Sequence, residues 1–229
     1  MIDSGPHLHG DAPAGATYDR ILDVAEALLS VQGVQGTSIR QITEQASVNV
    51  AAVNYHFGTK DKLVEAVIYR RFEALEKARA NQLDEIERRC RDENRAPRAR
   101  ELATVLISPM FTFVRAREQG WINFMRFLAR LTWEPGAEKF APPPTSLGIF
   151  ERFDTLLRQA VPALAEDAPR RSWRLAFVRA AAQQAMMILA MLGEGKVPNA
   201  IAFVEGLRGL KPDDIEQELL DFVAAGLAA

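Results

Sequence analysis

The sequence predicts an all-α protein: an N-terminal three-helix unit built on a helix-turn-helix, linked by a long helix to a C-terminal helical bundle. Three observations carry this reading. Apolar residues recur with helical period from Thr17 onward. No segment alternates polar and apolar residues over more than a few positions, so strands are not expected. Glycines at 33, 36 and 58, with Thr37, Asn49 and Thr59 as capping residues, cut the first part into short helices.

Each element follows from local pattern. Met1–Ala16 is rich in Gly and Pro and reads as a flexible arm. Its His7 and His9 lack partner ligands, so no metal site is expected. Ile21, Leu22, Ala25, Leu28 and Leu29 form one apolar face of a first helix, which Gly33 and Gly36 stop. Thr37 caps a second helix that turns Ile39 and Ile42 inward and ends near Ala46. Asn49 caps a third over Val50–Tyr55, and Thr59 caps a fourth that runs towards Cys90 with Leu63, Val67, Phe72 and Leu75 in register. The charged run Arg91–Arg98, with Pro97, is a turn. Beyond it, helices are expected over Ala99–Gln119, Trp121–Trp133, Leu147–Val161, Arg170–Leu192 and Asp213–Leu227, with a shorter one within Ala200–Leu207. Pro109 should kink the first of these, and Ala141–Thr145 is a stiff Pro-rich loop. No internal repeat is evident. The domain boundaries expected are 1–16 for the arm, 17–63 for the helix-turn-helix unit and 64–229 for the bundle.

Composition bounds the rest. The chain has 229 residues, 48% hydrophobic and 25% charged, which suits a globular protein with a buried core. Cys90 is the sole cysteine, which excludes an internal disulfide and fits a reducing compartment. The longest uncharged stretches, Leu102–Val114 and Ala180–Gly193, fall short of the roughly 20 residues that span a bilayer. The N-terminus lacks the basic start and apolar run of a secretory signal. A cytoplasmic protein without membrane association is expected. Net charge is −2, so an anionic partner must be held by a local patch.

The second and third helices have the length and separation of a helix-turn-helix, in which the first braces the second against a DNA groove. The string TSIRQITEQASVNVAAVNYHFGTKDKL, Thr37–Leu63, closely resembles the DNA-binding region of TetR-family transcriptional regulators. The resemblance covers about Thr17–Val67, and its most specific part is Tyr55-His56-Phe57 followed by Thr59, Lys60 and Leu63. Two positions depart from the common pattern. Ser47 stands where many members carry glycine in the inter-helix turn, and Asn54 stands where many carry tyrosine.

The residues themselves suit the task. Ile39, Ile42, Ala46, Val48 and Val53 can form a mini-core that fixes the inter-helix angle, with Phe57 plugging its base. Ala51 and Ala52 are small enough for the recognition helix to sit deep in the groove, where a methyl can touch thymine. Asn49 and Asn54 can hydrogen-bond base edges or phosphates, and Tyr55 and His56 can donate to phosphate oxygens. Lys60 lies at a helix start whose free amides also favour phosphate. Thr37 and Arg40 can reach the backbone or a base from the bracing helix. The unit is not basic: Arg20, Arg40, Lys60 and Lys62 face Asp19, Asp23, Glu26, Glu44 and Asp61.

The resemblance implies that the C-terminal half senses a ligand and dimerises. Ala180–Leu192 is apolar on nearly every side, and pairing it with Ile215, Leu219, Leu220, Phe222 and Val223 of the last helix would give a four-helix homodimer seam. Two-fold protein symmetry then calls for a palindromic double-stranded operator. Aromatics concentrate in the middle helices. Phe111, Val114, Phe124, Phe127, Phe153, Gln183 and Met187 are candidates to line an effector cavity, with Arg126 and Arg130, one turn apart, gripping an anionic group. The string Phe124–Pro135 resembles regulators that answer to fatty acids or acyl-CoA, so a small apolar effector of acyl type is expected. No cofactor is expected. Nor is catalysis: no Cys/His pair, metal-spaced ligand set or Gly-rich phosphate loop is present. A constitutive helical adaptor that binds protein in place of DNA is the competing reading.

Overall fold

The structure is a computed structural model that describes residues 14–116, 118–140, 143–192 and 211–229. Among these residues it is all-helical, with nine α-helices: α1 (Ala14–Gly36), α2 (Ile39–Ala46), α3 (Val50–Phe57), α4 (Lys60–Asp92), α5 (Ala99–Arg115), α6 (Gln119–Leu131), α7 (Thr145–Ala160), α8 (Ala168–Leu192) and α9 (Pro212–Ala228). The expected helices are found, with ends shifted by a few residues. The first begins at Ala14, inside the stretch read as an arm, and α5 stops at Arg115. Pro109 lies within α5. The remainder of the arm, with His7 and His9, and the helix expected in Ala200–Leu207 lie outside the described residues.

Local chemistry sets the breaks in the N-terminal unit. Gly33 adopts φ +72° and interrupts α1, which resumes for one turn to Gly36. The cap of α2 is Ser38, not Thr37. The Ser38 hydroxyl accepts from the Gln41 amide while the Gln41 side chain accepts from the Ser38 amide, a reciprocal capping box. Thr37 is 1% exposed, and its hydroxyl donates to the Gly33 carbonyl at 2.7 Å. It therefore ties α2 to the break in α1. Ser47 takes the left-handed conformation (φ 52°, ψ 47°) that glycine would favour, and its amide closes on Glu44 and Thr43. Asn49 accepts from the Ala52 amide at 2.8 Å and caps α3 as expected.

Ile42, Ala46, Val53 and Phe57 bury against Ile21, Leu22, Ala25 and Leu29 of α1 and Leu63 and Val67 of α4. Ile39 and Val48 pack on this core half-buried. α4 runs without interruption from the N-terminal unit into the bundle, where α5 packs along α9 and α6 along α1 and α8.

An ionic knot joins both halves. Glu26 of α1, 1% exposed, accepts from Arg70 at 3.1 Å and from Arg71 at 2.7 and 2.8 Å. Arg71 also lies 5.1 Å over the Trp121 ring of α6. A Cβ at Gly120 would collide with the Arg71 guanidinium, so a side chain there would oblige the arginine to shift. Arg70 and Arg71 are thus structural cations.

Candidate nucleic-acid interface and internal cavity

α3 presents its outer face to solvent. Val50 is 49% exposed and Tyr55 83%, with Ala51 and Asn54 also exposed and Ala52 half-buried between them. An exposed tyrosine with small neighbours on a helix held at its N-cap by Asn49 has the form of a groove-reading surface. His56 sits lower on the same helix. It is half-buried, edge-on to Tyr18 of α1 (centroids 5.7 Å) and to Tyr55 (5.1 Å). Tyr18 stacks on Phe57 at 4.9 Å as well, so one α1 residue positions both. Sequence reading missed Tyr18 because helical periodicity marks it only as a flank of the apolar face.

The surrounding polar groups divide into held and available. Arg40 is almost fully exposed and pairs with Glu44 one turn on at 2.8 Å, a contact that water screens. Lys60 opens α4 behind the Thr59 cap, whose hydroxyl accepts from the Lys62 amide. Lys62 itself pairs with Glu65 at 2.6 Å. Of the expected contact residues on α2, α3 and the start of α4, Arg40, Asn49, Asn54 and Tyr55 are exposed and His56 and Lys60 half-buried. Thr37 does not reach the surface, being buried with its hydroxyl committed to Gly33.

In the bundle, a cavity of about 310 Å³ opens between α4, α5, α6 and α8. Its wall is mostly apolar, with Phe72, Leu106, Met110, Met125, Phe140 and Phe150 among the contributors. Its polar groups are Thr132, Gln183 and two arginines, Arg79 and Arg179. Gln183 is where the sequence placed it, at the wall, and donates to the Leu128 carbonyl and the Thr132 hydroxyl at the end of α6. The other expected lining residues are elsewhere. Phe111, Phe124 and Phe127 are 0% exposed and Phe153 is 2% exposed, all packed into the core. Arg126 is half-buried and Arg130 exposed, and neither lines the cavity. The side chains of Val114 and Met187 lie outside the described residues. The cations at the cavity come instead from α4 and α8. Nothing in their spacing singles them out from the other arginines of those helices.

The segment after α6 connects cavity and interface. Thr132, Ala137 and Phe140 form part of the cavity wall. Between them, Glu134 accepts from the Val34 amide at 2.9 Å and the Gln35 amide at 2.6 Å. Lys139 pairs with Asp61 at the start of α4 at 2.7 Å. One short stretch thus lines the cavity and holds the N-terminal unit at two points.

A helix-turn-helix with an exposed second helix, carried on a helical bundle with a mostly apolar cavity, defines a class of DNA-binding regulators. Comparison with known families makes this specific. Residues 21–67 match the family described as bacterial regulatory proteins, tetR family, and residues 104–226 match the tetracyclin repressor-like C-terminal domain. The chain belongs to the TetR family of DNA-binding transcriptional regulators. A probable HTH-type transcriptional regulator of Bacillus subtilis, YttP, is 37% identical over 62 residues, 27% of this chain and 30% of that protein. The chain thus matches under a third of that relative's length. A transcriptional regulator of the TerR/AcrR family from Aquifex aeolicus is similar in structure, with a TM-score of 0.48 and 18% identity over 91% of this chain and 98% of that one. FadR of Bacillus subtilis, solved with stearoyl-CoA, aligns with a TM-score of 0.49 and 13% identity over 91% and 98%. Among the described residues no helix is long and apolar enough to cross a membrane.

Proposed function

We propose that this protein is a homodimeric repressor that grips a palindromic operator through α3 and releases it when a small apolar effector of acyl type fills the bundle cavity. The observation that carries this reading is the segment 132–140, which is at once a wall of the cavity and a double tether to the N-terminal unit. A ligand that displaces Thr132 or Phe140 moves the tether, and with it the spacing of the two recognition helices in a dimer. Asn54 and the alanine face read bases, while Arg40, Asn49, Tyr55, His56 and Lys60 hold phosphates.

Release requires a ligand that binds the mis-spaced conformer more tightly than the DNA-bound one. A 100-fold preference, about 2.7 kcal/mol, gives a clear switch. The test begins with selection of bound DNA from a random pool. The selected duplex, labelled, is then titrated by fluorescence anisotropy against fatty acids and acyl-CoAs of graded chain length. A palindromic consensus and ligand-dependent release are expected. An asymmetric consensus, or DNA affinity indifferent to every ligand, contradicts the reading.

A further inference from the structure

We propose that Arg79 of α4 anchors a carboxylate head group in the cavity, so that the effector is a free apolar acid and not its thioester or a neutral analogue. The inference rests on reading the cavity as the effector site and narrows the chemistry of that ligand.

Three observations carry it. First, among the described residues the charged ones that line the cavity are Arg79 and Arg179, and no carboxylate joins them there. Arg179 is exposed and lies 5.4 Å over the Phe150 ring, at the solvent side, whereas Arg79 is held inside. Second, Arg79 is incompletely satisfied. Its Nη1 donates to Glu76 Oε1, one turn back on α4, at 3.0 Å. Its Nε is buried without an acceptor among the described residues. A guanidinium carries five N–H groups in a planar fork that matches a carboxylate, so one hydrogen bond leaves most of that fork unused. Third, the charge balance is wrong for a site meant to stay empty of anions. Glu76, whose Oε2 is itself buried without a donor among the described residues, is the carboxylate beside Arg79, and Arg179 brings a second positive charge at the solvent side. Burial, the largest influence, lowers the Arg79 pKa, Arg179 adds to this, and Glu76 offsets them only in part. A bound anion relieves all three conditions, and the apolar remainder of the wall accepts the hydrocarbon part. A thioester carbonyl offers no charge for this purpose.

The test uses the purified full-length protein and calorimetric titration with decanoate, 1-decanol and decanoyl-CoA. The native protein is expected to bind decanoate at least tenfold more tightly than decanol or decanoyl-CoA. In the double variant Glu76→Gln, Arg79→Met, which leaves no unpaired buried charge, that preference is expected to fall below threefold while decanol affinity stays within threefold. Equal affinity of the native protein for decanoate and decanol overturns the proposal, and that comparison needs no variant. So does a double variant that keeps the tenfold preference, or tighter binding of decanoyl-CoA than of decanoate. Failure of all three to bind overturns the reading of the cavity itself, and the anchor with it.

Discussion

The Glu134 carboxylate reaches across from the end of α6 to accept the backbone amides of Val34 and Gln35, at 2.9 and 2.6 Å, where Gly33 breaks α1. These two amides open the last turn of α1, so the carboxylate plays the part of an N-terminal cap supplied from 100 residues away. Its negative charge suits the positive end of that turn. Gly33 is needed twice over, for its left-handed φ and because a side chain there would press on Glu134. The break is thus shaped around the contact.

Replacing Glu134 by alanine should leave the buried Val34 amide short of a partner, while the exposed Gln35 amide turns to water, and cost about 1–3 kcal/mol. The thermal midpoint should fall by several degrees, and amide exchange at Val34 and Gln35 should quicken ahead of the rest of α1. Glu134→Gln, with a single carbonyl oxygen and no charge, should fall between. Operator binding that no longer responds to effector, with DNA affinity retained, is the expected functional outcome. An unaltered response would show that the tether carries no signal.

Much of the helical order was legible because caps and glycines act locally. Asn49, Thr59 and Gly58 mark boundaries that depend on a few adjacent amides, and the structure places them as expected. The shift from Thr37 to Ser38 arose from two neighbouring hydroxyls competing for one cap, which only the burial of Thr37 decides. The cavity was less legible. Phe111, Phe124 and Phe127 are as aromatic as Phe72 and Phe150, and composition does not say which pack and which line a void. Arg79, Arg179 and Glu134 act through contacts between helices far apart in sequence, which no local period encodes.

On the recognition helix, under the proposed function Tyr55→Phe should weaken binding to all sequences alike, because it removes an exposed hydroxyl assigned to phosphate. Asn54→Ala should change sequence preference, each base contact being worth roughly 1–3 kcal/mol of discrimination. His56→Ala removes ring contacts with Tyr18 and Tyr55 as well, so it should lower both affinity and the stability of α3. Binding measured on matched and mismatched duplexes separates these effects. Altered preference with intact affinity for Tyr55→Phe would reverse the assignment.

Acid should expose the link between α4 and α5. Arg95 grips Glu101 through two N–H groups at 2.7 and 2.8 Å, and the Arg98 amide also donates to it. Chiefly through the Arg95 hydrogen bonds, the Glu101 carboxyl is held down at about 2. A depressed carboxylate stabilises the fold above its unfolded pKa, near 4.3, and that contribution is lost as pH falls towards 2. Glu101→Gln should cost about 2 kcal/mol at pH 7 and almost nothing at pH 2. Urea midpoints of the two proteins across that range provide the check, and a difference that does not narrow on acidification would exclude Glu101 as the source.

For the proposed dimer, the face is read from side chains that the protomer leaves uncovered. Leu219, Leu220 and Val223, expected at the seam, are instead buried inside the protomer, at 9%, 5% and 0% exposed. Trp173 and Phe177 remain 64% and 66% exposed, stacked at 5.7 Å on α8, and Phe222 on the adjoining α9 is 66% exposed. Along α8 the stripe continues through Ala180 and Gln184, also exposed, at the spacing of a helix-packing seam. An aromatic side chain buries about 150–250 Å² when covered, and at about 25 cal/mol per Å² the three together can supply several kcal/mol on each protomer. Phe177→Asp places a charge in the middle of that stripe and touches none of the protomer's buried core. Sedimentation equilibrium should show the native protein as a dimer and the variant as a folded monomer, with operator affinity reduced by at least 100-fold because the two half-sites are no longer engaged together. A variant that stays dimeric at micromolar concentration would place the two-fold axis on a different surface.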